Sequence, residues 1–577
     1  MHLTARLCPT KFPLGGAQFT EPGFTRCIIF TPFQTVTSNS AFRTVRLLSI
    51  LRGLLVLAAL VFVALLFTTA LRGHAQELPS PVGATVPHRY LIAYREGSAP
   101  ATVTAQARLA GARVVATGNS FGINILDTSA SSNEAATVAA LQADPAVQYV
   151  IHDRVISAHS LRIRPILAAD ITVTTGTSSG TGTTTQPTYD TYYASTPQNW
   201  AVRAAGGYGA GVAGGPKHGP WDTTMGAGIR IAILDSGVDA NHPDIAPNLA
   251  FNLSEIDQSS STGMASACDD GSPQDQQGHG TWTASLAAAA IGPGTGQLIG
   301  VAPAATILNI KVLERMTDPT SSATDLTTQC STGQASGLLS WVVQGIQDAI
   351  NQRADIISLS LGTLIDLNTG DGAGIKAIFD RATYAANQAG AVVIASAGND
   401  GINLSNPRYI EIPAQSRSVL AVVASTNPAC AENLPLTGDK AASPACVAGP
   451  ATLAYYSNYG TPLDAIAAPG GSYPEGPDTG VSGWVRGACS NGLANTTNGA
   501  PTDATRSLGC FALGHSQYVQ AMGTSASAPL VAGAAALLRS ANPSWTPDQV
   551  IAALRSSATP SANLPAAPLL NTASLLP

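Results

Sequence analysis

Three side chains in this sequence are of the types that together catalyse acyl transfer, and each lies in a glycine-flanked turn. Asp235 ends the apolar run IRIAILD, His279 lies between two glycines in QQGHGTWTASL, and Ser525 lies in GTSASAP before a long apolar run. A serine hydroxyl becomes a strong nucleophile when a histidine removes its proton, and a carboxylate holds that histidine in the required tautomer. The chemistry that this set predicts is attack by Ser525 on a carbonyl carbon.

Each of these residues has an ordinary structural explanation when it is taken alone. Asp235 is typical of a turn or helix cap, and His279 of a solvated turn. Ser525 is typical of the N-cap of a helix APLVAGAAALLRS, with Pro529 in its first turn. A helix start also directs backbone N–H groups toward the hydroxyl, which suits an oxyanion. Asn399, in ASAGND, is a candidate for a further oxyanion donor.

The elements that must position these residues are strands buried on both faces. From about residue 197 onward, short apolar runs alternate with amphipathic helical segments, a pattern typical of a parallel sheet covered by helices. The fold class predicted is therefore α/β, with three layers and a mostly parallel sheet whose chemistry gathers at the carboxyl ends of the strands. The predicted strands are IRIAILD (229–235), ATILNIKVL (305–313), ADIISLSLG (354–362), GAVVIASAGN (390–399) and SVLAVVAS (418–425).

A smaller unit precedes this region. Residues 86–160 contain strand-like and helical runs in the order strand, helix, strand, helix, strand, which predicts a two-layer α+β domain. Residues 161–196 are dominated by Thr, Gly and Ser and cannot bury enough apolar surface to fold alone, so we predict a linker. The larger domain is then expected to cover 197–577.

The amino end has the composition of an export segment. GLLVLAALVFVALLFTTAL (53–71) is apolar, follows three arginines and precedes the small-residue sequence GHA. We predict that 53–75 is a cleaved secretory signal and that 1–52 is an n-region or a misassigned start. The alternative is a membrane anchor facing the periplasm or exterior, because 19 apolar residues can span a bilayer.

The composition fits an exported globular protein. Of the 577 residues, 11% are charged and 45% are hydrophobic, and the formal net charge is −6. No basic cluster is long enough to follow a phosphate backbone, so we predict no nucleic-acid partner. An even number of cysteines after an export signal predicts disulfides, which we expect between neighbours in order. These cysteines are Cys268, Cys330, Cys430, Cys446, Cys489 and Cys510.

The motifs ILDSGVDANHPD, GHGT, SLSLG, ASAGND and GTSASAP occur in the order found in subtilisin-like serine proteases, and the chain resembles that family over roughly 197–577. The resemblance implies that Asp235 orients the histidine and that His279 acts as general base and acid. It implies that Ser525 is the nucleophile and that Asn399 donates to the oxyanion.

The smaller domain resembles the inhibitory propeptide of such enzymes, a ferredoxin-like α+β unit that is removed during maturation. The alternative interpretation of this domain is an unrelated small binding module. Secreted proteobacterial subtilases with several disulfides are the members to which the chain is most similar. The resemblance implies protein or peptide substrates, a monomer, and contact with the membrane only during export. It implies no cofactor for catalysis and allows structural calcium, for which Asp244 in NHPD is a candidate ligand.

Substrate contacts are implied in two stretches. The backbone of SLG at 360–362 is expected to pair with an extended substrate strand. Counting back from Pro413 places Glu411 near the floor of the main side-chain pocket, where its carboxylate would pair with Lys or Arg of a substrate. The residues implied in substrate binding are Ser360, Leu361, Gly362, Ala397, Gly398 and Glu411.

Two other functional classes are less consistent with the sequence. An esterase of the α/β-hydrolase type needs G-x-S-x-G and the order Ser, Asp, His, neither of which occurs here. A catalytically inactive binding module of the same fold would be expected to lack a member of the triad, and all are present. One departure from the family pattern is Trp282-Thr283-Ala284-Ser285 after GHGT, which is expected to change the packing behind His279.

Overall fold

The computed structural model describes most of the chain from residue 83 onward. Its described residues all belong to one unit, Pro79–Pro577. The expected n-region (1–52), signal or anchor (53–75) and linker (161–196) lie outside them. None of the described helices is long and apolar enough to cross a bilayer. The described residues are 83–97, 107–108, 111–116, 121–159, 199–209, 218–257, 266–291, 298–317, 322, 324–331, 333–430, 448–472, 483–490, 511–513, 516–564, 567–574 and 576.

Strands and helices alternate through the larger domain, as the hydrophobic pattern predicts. The described strands are β1 (Thr85–Tyr94), β2 (Arg113–Ala116), β3 (Ile123–Asp127), β4 (Val147–Ala158), β5 (Arg230–Asp235), β6 (Leu249–Ser254), β7 (Thr306–Lys311), β8 (Leu313–Arg315), β9 (Ala335–Leu338), β10 (Ile356–Leu359), β11 (Leu361–Asp366), β12 (Val392–Ser396), β13 (Tyr409–Ile412), β14 (Val419–Ser425), β15 (Ile466–Pro469), β16 (Val485–Ala488), β17 (Phe511–Leu513) and β18 (Ser516–Ala521). The described helices are α1 (Glu134–Ala143), α2 (Trp200–Ala204), α3 (His279–Ala288), α4 (Leu326–Ser331), α5 (Leu339–Asn351), α6 (Gly372–Gln388), α7 (Thr524–Ala541) and α8 (Pro547–Ser557).

A seven-stranded sheet in the order β15-β14-β12-β10-β5-β7-β6 forms the middle layer. All of its neighbouring strands are parallel. Ala232 and Leu234 of β5 pack in one hydrophobic cluster with residues of α5 and α6, whereas Ile231 and Ile233 pack in another with α3, α7 and α8. Helices therefore cover both faces, which confirms the predicted three-layer α/β fold.

Two of the predicted strands change sheets partway along. The run 305–313 divides into β7 and β8 at Val312, and the run 354–362 divides into β10 and β11 at Ser360. In each case the first strand belongs to the parallel sheet and the second to another sheet. Ser360 thus links the core sheet directly to β11, which lies between β13 and β4 in the other sheet.

The second sheet joins the smaller domain to the larger one. Its strand order is β13-β11-β4-β1-β3-β2, and β9 pairs with both β4 and β8. The sheet of the 86–160 unit therefore continues through β4 into strands of the 197–577 region. Beside it, the buried Arg89 donates to Asp153 Oδ2 at 2.9 Å, and Asp153 Oδ1 accepts the N–H of Ser340 in the first turn of α5. Loss of the Arg89 charge would leave Asp153 buried without its cation, at a cost of about 3–5 kcal/mol, whereas Arg89 also lies 3.7 Å from Oδ2 of Asp257.

Helix α7 begins earlier than the sequence predicts. It starts at Thr524, so Pro529 lies inside the helix, and the prediction that this proline occupies the first turn is wrong. A proline has no N–H, so the carbonyl of Ser525, four residues earlier, receives no bond from it. The hydroxyl of Ser360 donates to that carbonyl at 3.0 Å instead. The helix can therefore continue through the proline without leaving this buried carbonyl unpaired.

A small sheet, β16-β18-β17, covers the back of α3. Trp282 of α3 is fully buried there, and a Cβ at position 487 would lie 2.9 Å from its indole nitrogen. Gly487 therefore leaves the space that this tryptophan fills. The Trp282 ring also meets the His279 ring edge to face at 5.7 Å, so the departure after GHGT packs directly behind the histidine.

The disulfide pairing can be followed in part. Cys268 is joined to Cys330, the first pair that pairing in order predicts. Cys430 and Cys489 are also disulfide-bonded. Cys446 and Cys510, their predicted partners, lie outside the described residues.

A half-buried carboxyl pair makes the stability of the fold depend on pH. Burial first, and then the hydrogen bond and charge of Asp348, raise the pKa of Glu255 from 4.5 to about 8. The folded state therefore keeps a proton that the unfolded chain releases, and the associated stability is lost as pH rises from 4.5 through 8. We expect Glu255→Gln to raise Tm by a few degrees near pH 9 and to leave Tm unchanged near pH 4.

Thermal unfolding of Glu255→Gln, followed by circular dichroism, checks this prediction. The melts are best recorded with Ser525→Ala also present in every sample, so that self-digestion does not contribute. Glu96→Gln, at an exposed glutamate after β1, is the matched control and should leave Tm unchanged at both pH values. A shift of equal size near pH 4 and near pH 9 would contradict the assigned pKa.

Candidate active site

Asp235 and His279 meet at the carboxyl end of the parallel sheet. Asp235 is the last residue of β5 and His279 the first residue of α3. Oδ1 of Asp235 lies 2.7 Å from Nδ1 of His279, and both side chains are fully buried. Oδ1 also accepts the N–H of Ser236 at 2.7 Å, and Oδ2 accepts the hydroxyl of Thr283 at 3.1 Å. The carboxylate is thus fixed on both oxygens and can hold the imidazole with its Nε2 turned away.

The turn that presents His279 is held by a second buried carboxylate. Oδ1 of Asp275 accepts the N–H groups of Gln277 and Gly278 at 3.0 and 2.7 Å. Oδ2 accepts both the N–H and the hydroxyl of Thr281 at 2.9 and 2.6 Å. Burial raises the pKa of Asp275, and these bonds oppose that shift. Asp275 therefore positions the histidine through the backbone on either side of it.

Ser525 lies in the first turn of α7, which packs against α3. Its hydroxyl donates to the carbonyl of Ser360 at 3.1 Å, and the Ser360 hydroxyl donates to the carbonyl of Ser525. Nε2 of His279 is buried and has no hydrogen-bond partner among the described residues. The serine hydroxyl therefore faces the backbone at Ser360, and the histidine nitrogen is available to accept a proton.

Asn399 follows β12 and has a defined amide orientation. Its Oδ1 accepts the N–H and the hydroxyl of Thr524 at 3.0 and 2.9 Å. Its Nδ2 donates to the carbonyl oxygen of His159, the residue that follows β4. A Cβ at Gly523 would lie 2.7 Å from that same oxygen. The amide N–H thus points at the His159 carbonyl, which lies beside the turn that carries Ser525.

The end of β4 is an extended strand that pairs with β9 on one edge and with β11 on the other. Val155, Ile156 and Ser157 are in antiparallel register with β9. Ser157 and Ala158 are in antiparallel register with Gly362 and Leu361 of β11, respectively. The predicted pairing of the SLG backbone with an extended strand is therefore seen here with a segment of the same chain.

The side chain of His159 fills a pocket at the end of this strand. Its Nδ1 lies 2.7 Å from Oγ of Ser396, and its Nε2 lies 3.1 Å from Oε1 of Glu411. Its N–H donates to the carbonyl of Ser360 at 3.2 Å, the carbonyl that also accepts the Ser525 hydroxyl. Glu411 is fully buried, so the structure places it at the floor of a pocket. The pocket holds a histidine, whereas the sequence led us to expect lysine or arginine.

Two other predicted site residues, Ala397 and Asp244, are fully buried. Ala397 is fully buried and donates its N–H to Val422, which places it in the core behind the pocket. Asp244 is fully buried; its Oδ2 accepts the Tyr518 hydroxyl at 2.8 Å and lies near His242. Calcium prefers six to eight oxygen ligands, and these neighbours do not provide such a set. In the part of the chain that the structure describes, no cluster of three His, Cys, Asp or Glu side chains is placed to hold a metal.

Sequence reasoning missed several residues of this site. Ser396 lies directly before the AGN of ASAGND, so its proximity to the pocket was readable from the motif. Thr283 and Asp275 each lie about four residues from His279, and their side chains can be assigned to the site only when the turn is folded. His159 carries no local signal, because its place depends on the pairing of β4 with β9 and β11.

Comparison with known proteins agrees with this geometry. The family model described as the subtilase family matches residues 226–571. Thermitase from Thermoactinomyces vulgaris is 35% identical over 190 residues, which are 33% of this chain and 54% of thermitase. Subtilisin E from Bacillus subtilis (strain 168) is 30% identical over 339 residues, which are 58% of this chain and 61% of subtilisin E. The chain therefore spans between half and two thirds of the length of these relatives.

A solved structure shows the same fold. The epidermin leader peptide processing serine protease from Staphylococcus aureus superposes with a TM-score of 0.53 at 18% sequence identity, covering 85% of this chain and 97% of that one. The family match covers more than half of the chain and includes the turns that carry Asp235, His279 and Ser525. The chain belongs to the subtilase family.

Proposed function

We propose that this chain is the precursor of a secreted serine endopeptidase that hydrolyses peptide bonds through an acyl-enzyme on Ser525. One observation carries the proposal. The carbonyl of His159 receives the Asn399 amide, while the N–H of His159 and the Ser525 hydroxyl donate to one and the same Ser360 carbonyl. An extended chain is thus held by its last carbonyl on the Asn399 amide and by its last N–H on the carbonyl that also accepts the Ser525 hydroxyl.

The reaction assigns one role to each member of the triad. Rotation of the Ser525 side chain away from Ser360 brings its hydroxyl to His279 Nε2, which removes the proton as the oxygen attacks the carbonyl carbon. His279 then gives that proton to the leaving amine, and the C–N bond breaks. Water, deprotonated by the same nitrogen, cleaves the acyl-enzyme and restores the serine. Asp235 keeps the imidazole in the tautomer with a free Nε2.

The tetrahedral intermediate carries a negative charge that the site must stabilise. Asn399 Nδ2 already points at the carbonyl oxygen on which this charge develops. The start of α7 adds the positive end of a helix dipole and its backbone N–H groups. Because these donors are fixed before the reaction, they do not have to reorganise as the charge forms.

The 86–160 unit is proposed as an inhibitory propeptide that the enzyme cleaves at the carbonyl of His159. Its last strand fills the substrate cleft between β9 and β11, so no other chain can bind while it remains. The buried Arg89–Asp153 pair against Ser340 adds a second anchor outside the cleft. Inhibition then persists after the bond is cut, until this unit dissociates or is degraded.

Secretion is proposed from two features of the chain. The apolar segment 53–71 follows three arginines and precedes small residues, as in an export signal. The disulfide between Cys268 and Cys330 is typical of proteins that fold in an oxidising compartment. A protease that stays an inactive precursor until export would not digest the proteins of the cell that makes it.

Labelling with a fluorophosphonate probe tests the proposed function. The probe reacts with serines that an adjacent base activates, so the matured protein is expected to incorporate one label on Ser525. Ser527, on the same helix, donates to the carbonyl of Ala468 and has no such base. Ser527→Ala should therefore label normally. Failure of the matured wild-type protein both to label and to cleave any peptide would refute a serine endopeptidase.

The proposed oxyanion role of Asn399 predicts a specific kinetic effect. Asn399→Ala removes one donor, and we expect kcat to fall by about 10²–10³-fold while KM changes little. Steady-state kinetics on a peptide substrate measure both constants. Asn403→Ala, in a nearby loop, is the control and should retain normal kcat. A rise in KM at unchanged kcat would show that Asn399 serves binding of the ground state instead.

A further inference from the structure

The pocket that holds His159 contacts both nitrogens of its ring. Nδ1 lies 2.7 Å from the Ser396 hydroxyl and Nε2 lies 3.1 Å from Glu411 Oε1. The second contact is within ion-pair distance, although the ring N–H is not aligned with Oε1 as a hydrogen bond. Two polar groups on opposite edges of an imidazole match the two nitrogens of that ring.

The floor of the pocket favours an uncharged partner that can share a proton. Burial first, and then the nearby Asp400, raise the pKa of Glu411 well above its ordinary value. Burial lowers the pKa of His159 to about 4; Asp400 opposes this shift and His279 adds to it. A protonated carboxyl facing a neutral imidazole carries the same number of protons as a carboxylate facing an imidazolium. The pair therefore has zero net charge in either form and needs no further counter-ion.

The depth and width of the pocket match a single flat ring. A Cβ at position 362 would lie 2.6 Å from Nε2 of His159, so glycine is required where the ring passes. On the other side, a Cβ at Gly398 would lie 3.1 Å from Oε2 of Glu411. The ring already reaches contact distance with a fully buried Glu411. A longer lysine or arginine side chain would have to displace this carboxyl from its place beside Asn458.

Other side chains match the polar groups of the pocket less completely than histidine does. Leucine or phenylalanine would cover Glu411 and Ser396 and offer neither a donor nor an acceptor. Aspartate or glutamate would bring a second acid against Glu411, which Asp400 already faces. Lysine and arginine carry a fixed charge and would require Glu411 to ionise in a fully buried position.

We propose that Glu411 and Ser396 make this pocket selective for histidine, so that the enzyme cleaves preferentially after histidine, beginning with His159 of its own chain. The proposal rests on the proposed function and adds to it the residue on which the enzyme acts.

A series of internally quenched peptides tests this selectivity. The peptides copy residues 155–162 and carry His, Lys, Arg, Phe or Leu at the position of His159. With the matured wild-type enzyme, kcat/KM for the histidine peptide is expected to exceed each of the others by at least about tenfold. Equal or faster cleavage after Lys, Arg, Phe or Leu would overturn the proposal.

Glu411→Gln links the selectivity to the carboxyl group. The variant keeps the size of the side chain, and the ratio of kcat/KM for histidine over phenylalanine is expected to fall several-fold. Asp464→Asn, an exposed carboxyl paired with Arg555, is the matched control and should keep the wild-type ratio. Both variants should still incorporate the fluorophosphonate label, because neither change touches the triad. An unchanged ratio in Glu411→Gln would overturn the assigned role.

The outcomes separate the two proposals. Fluorophosphonate labelling with cleavage after another residue would disprove the histidine selectivity and leave the endopeptidase intact. Absence of both labelling and cleavage in the wild-type protein would disprove the endopeptidase. If Glu411→Gln does not fold, the peptide series on the wild-type enzyme still decides the selectivity, and Ser396→Ala tests the other edge of the ring.

Discussion

Ser525→Ala is expected to yield a folded precursor that remains uncut at His159 and does not react with a fluorophosphonate. Without the hydroxyl no acyl-enzyme can form, and peptide hydrolysis should fall by about six orders of magnitude. The fold should survive, because the hydroxyl donates to the carbonyl of Ser360, and the bond from the Ser360 hydroxyl to the backbone carbonyl of residue 525 remains. Mass spectrometry of the protein, expressed in a host without other secreted proteases, measures the extent of processing.

Ser527→Ala is the matched control for this experiment. It removes a buried hydroxyl two residues along α7 and should mature normally. Normal processing of Ser525→Ala in that host would contradict autocatalytic maturation. Addition of wild-type enzyme to the uncut Ser525→Ala precursor then shows whether one molecule can process another.

Asp235→Asn is expected to lower kcat by about 10⁴-fold. An amide at this position can donate to Nδ1 of His279, which would place the remaining ring proton on Nε2, where the base must be free. The geometry should hold, because the amide oxygen, in the place of Oδ2, can still accept the Thr283 hydroxyl, although the N–H of Ser236 loses its acceptor. Burst and steady-state kinetics on one peptide substrate separate slow acylation from weak binding.

Asp239→Asn provides the comparison for this change. Asp239 is also buried and accepts hydrogen bonds from Asn241 and Gln274, but it does not contact the histidine. Its replacement should change kcat by no more than a small factor. A loss of kcat in Asp235→Asn that matches the loss in Asp239→Asn would show that folding, and not the histidine tautomer, limits both.

The parallel sheet and the triad turns were predictable because their signals are local. In β5, residues 231–234 are all apolar without alternation, and only a strand covered on both faces buries every one of them. The residues after such strands gather at one edge of the sheet, which is where Asp235 and Asn399 lie. The predicted roles of these residues remain proposals, and their positions are compatible with them.

The remaining features depend on contacts between distant parts of the chain. Ser360 is one polar residue in ADIISLSLG, and nothing local marks it as the point where the strand changes sheets. Pro529 indicated a helix start by its usual preference, but the hydroxyl of Ser360 satisfies the carbonyl that proline leaves free. His159 was not predicted because residues far along the chain build its pocket. Glu411 was predicted at the floor of a side-chain pocket, and its contact with the His159 ring could be found only in the folded chain.

The pairing of β4 on both of its edges has a consequence for the choice of substrate. A polypeptide can replace β4 only after it gives up its own helices and turns over a short stretch. Loops and chain ends do so readily, whereas a packed core must first open, which costs free energy up to that of global unfolding. The rate at which a native protein is digested should therefore depend on how often each of its segments opens, as well as on the residues in that segment. A ligand that rigidifies a target protein should protect it from this enzyme.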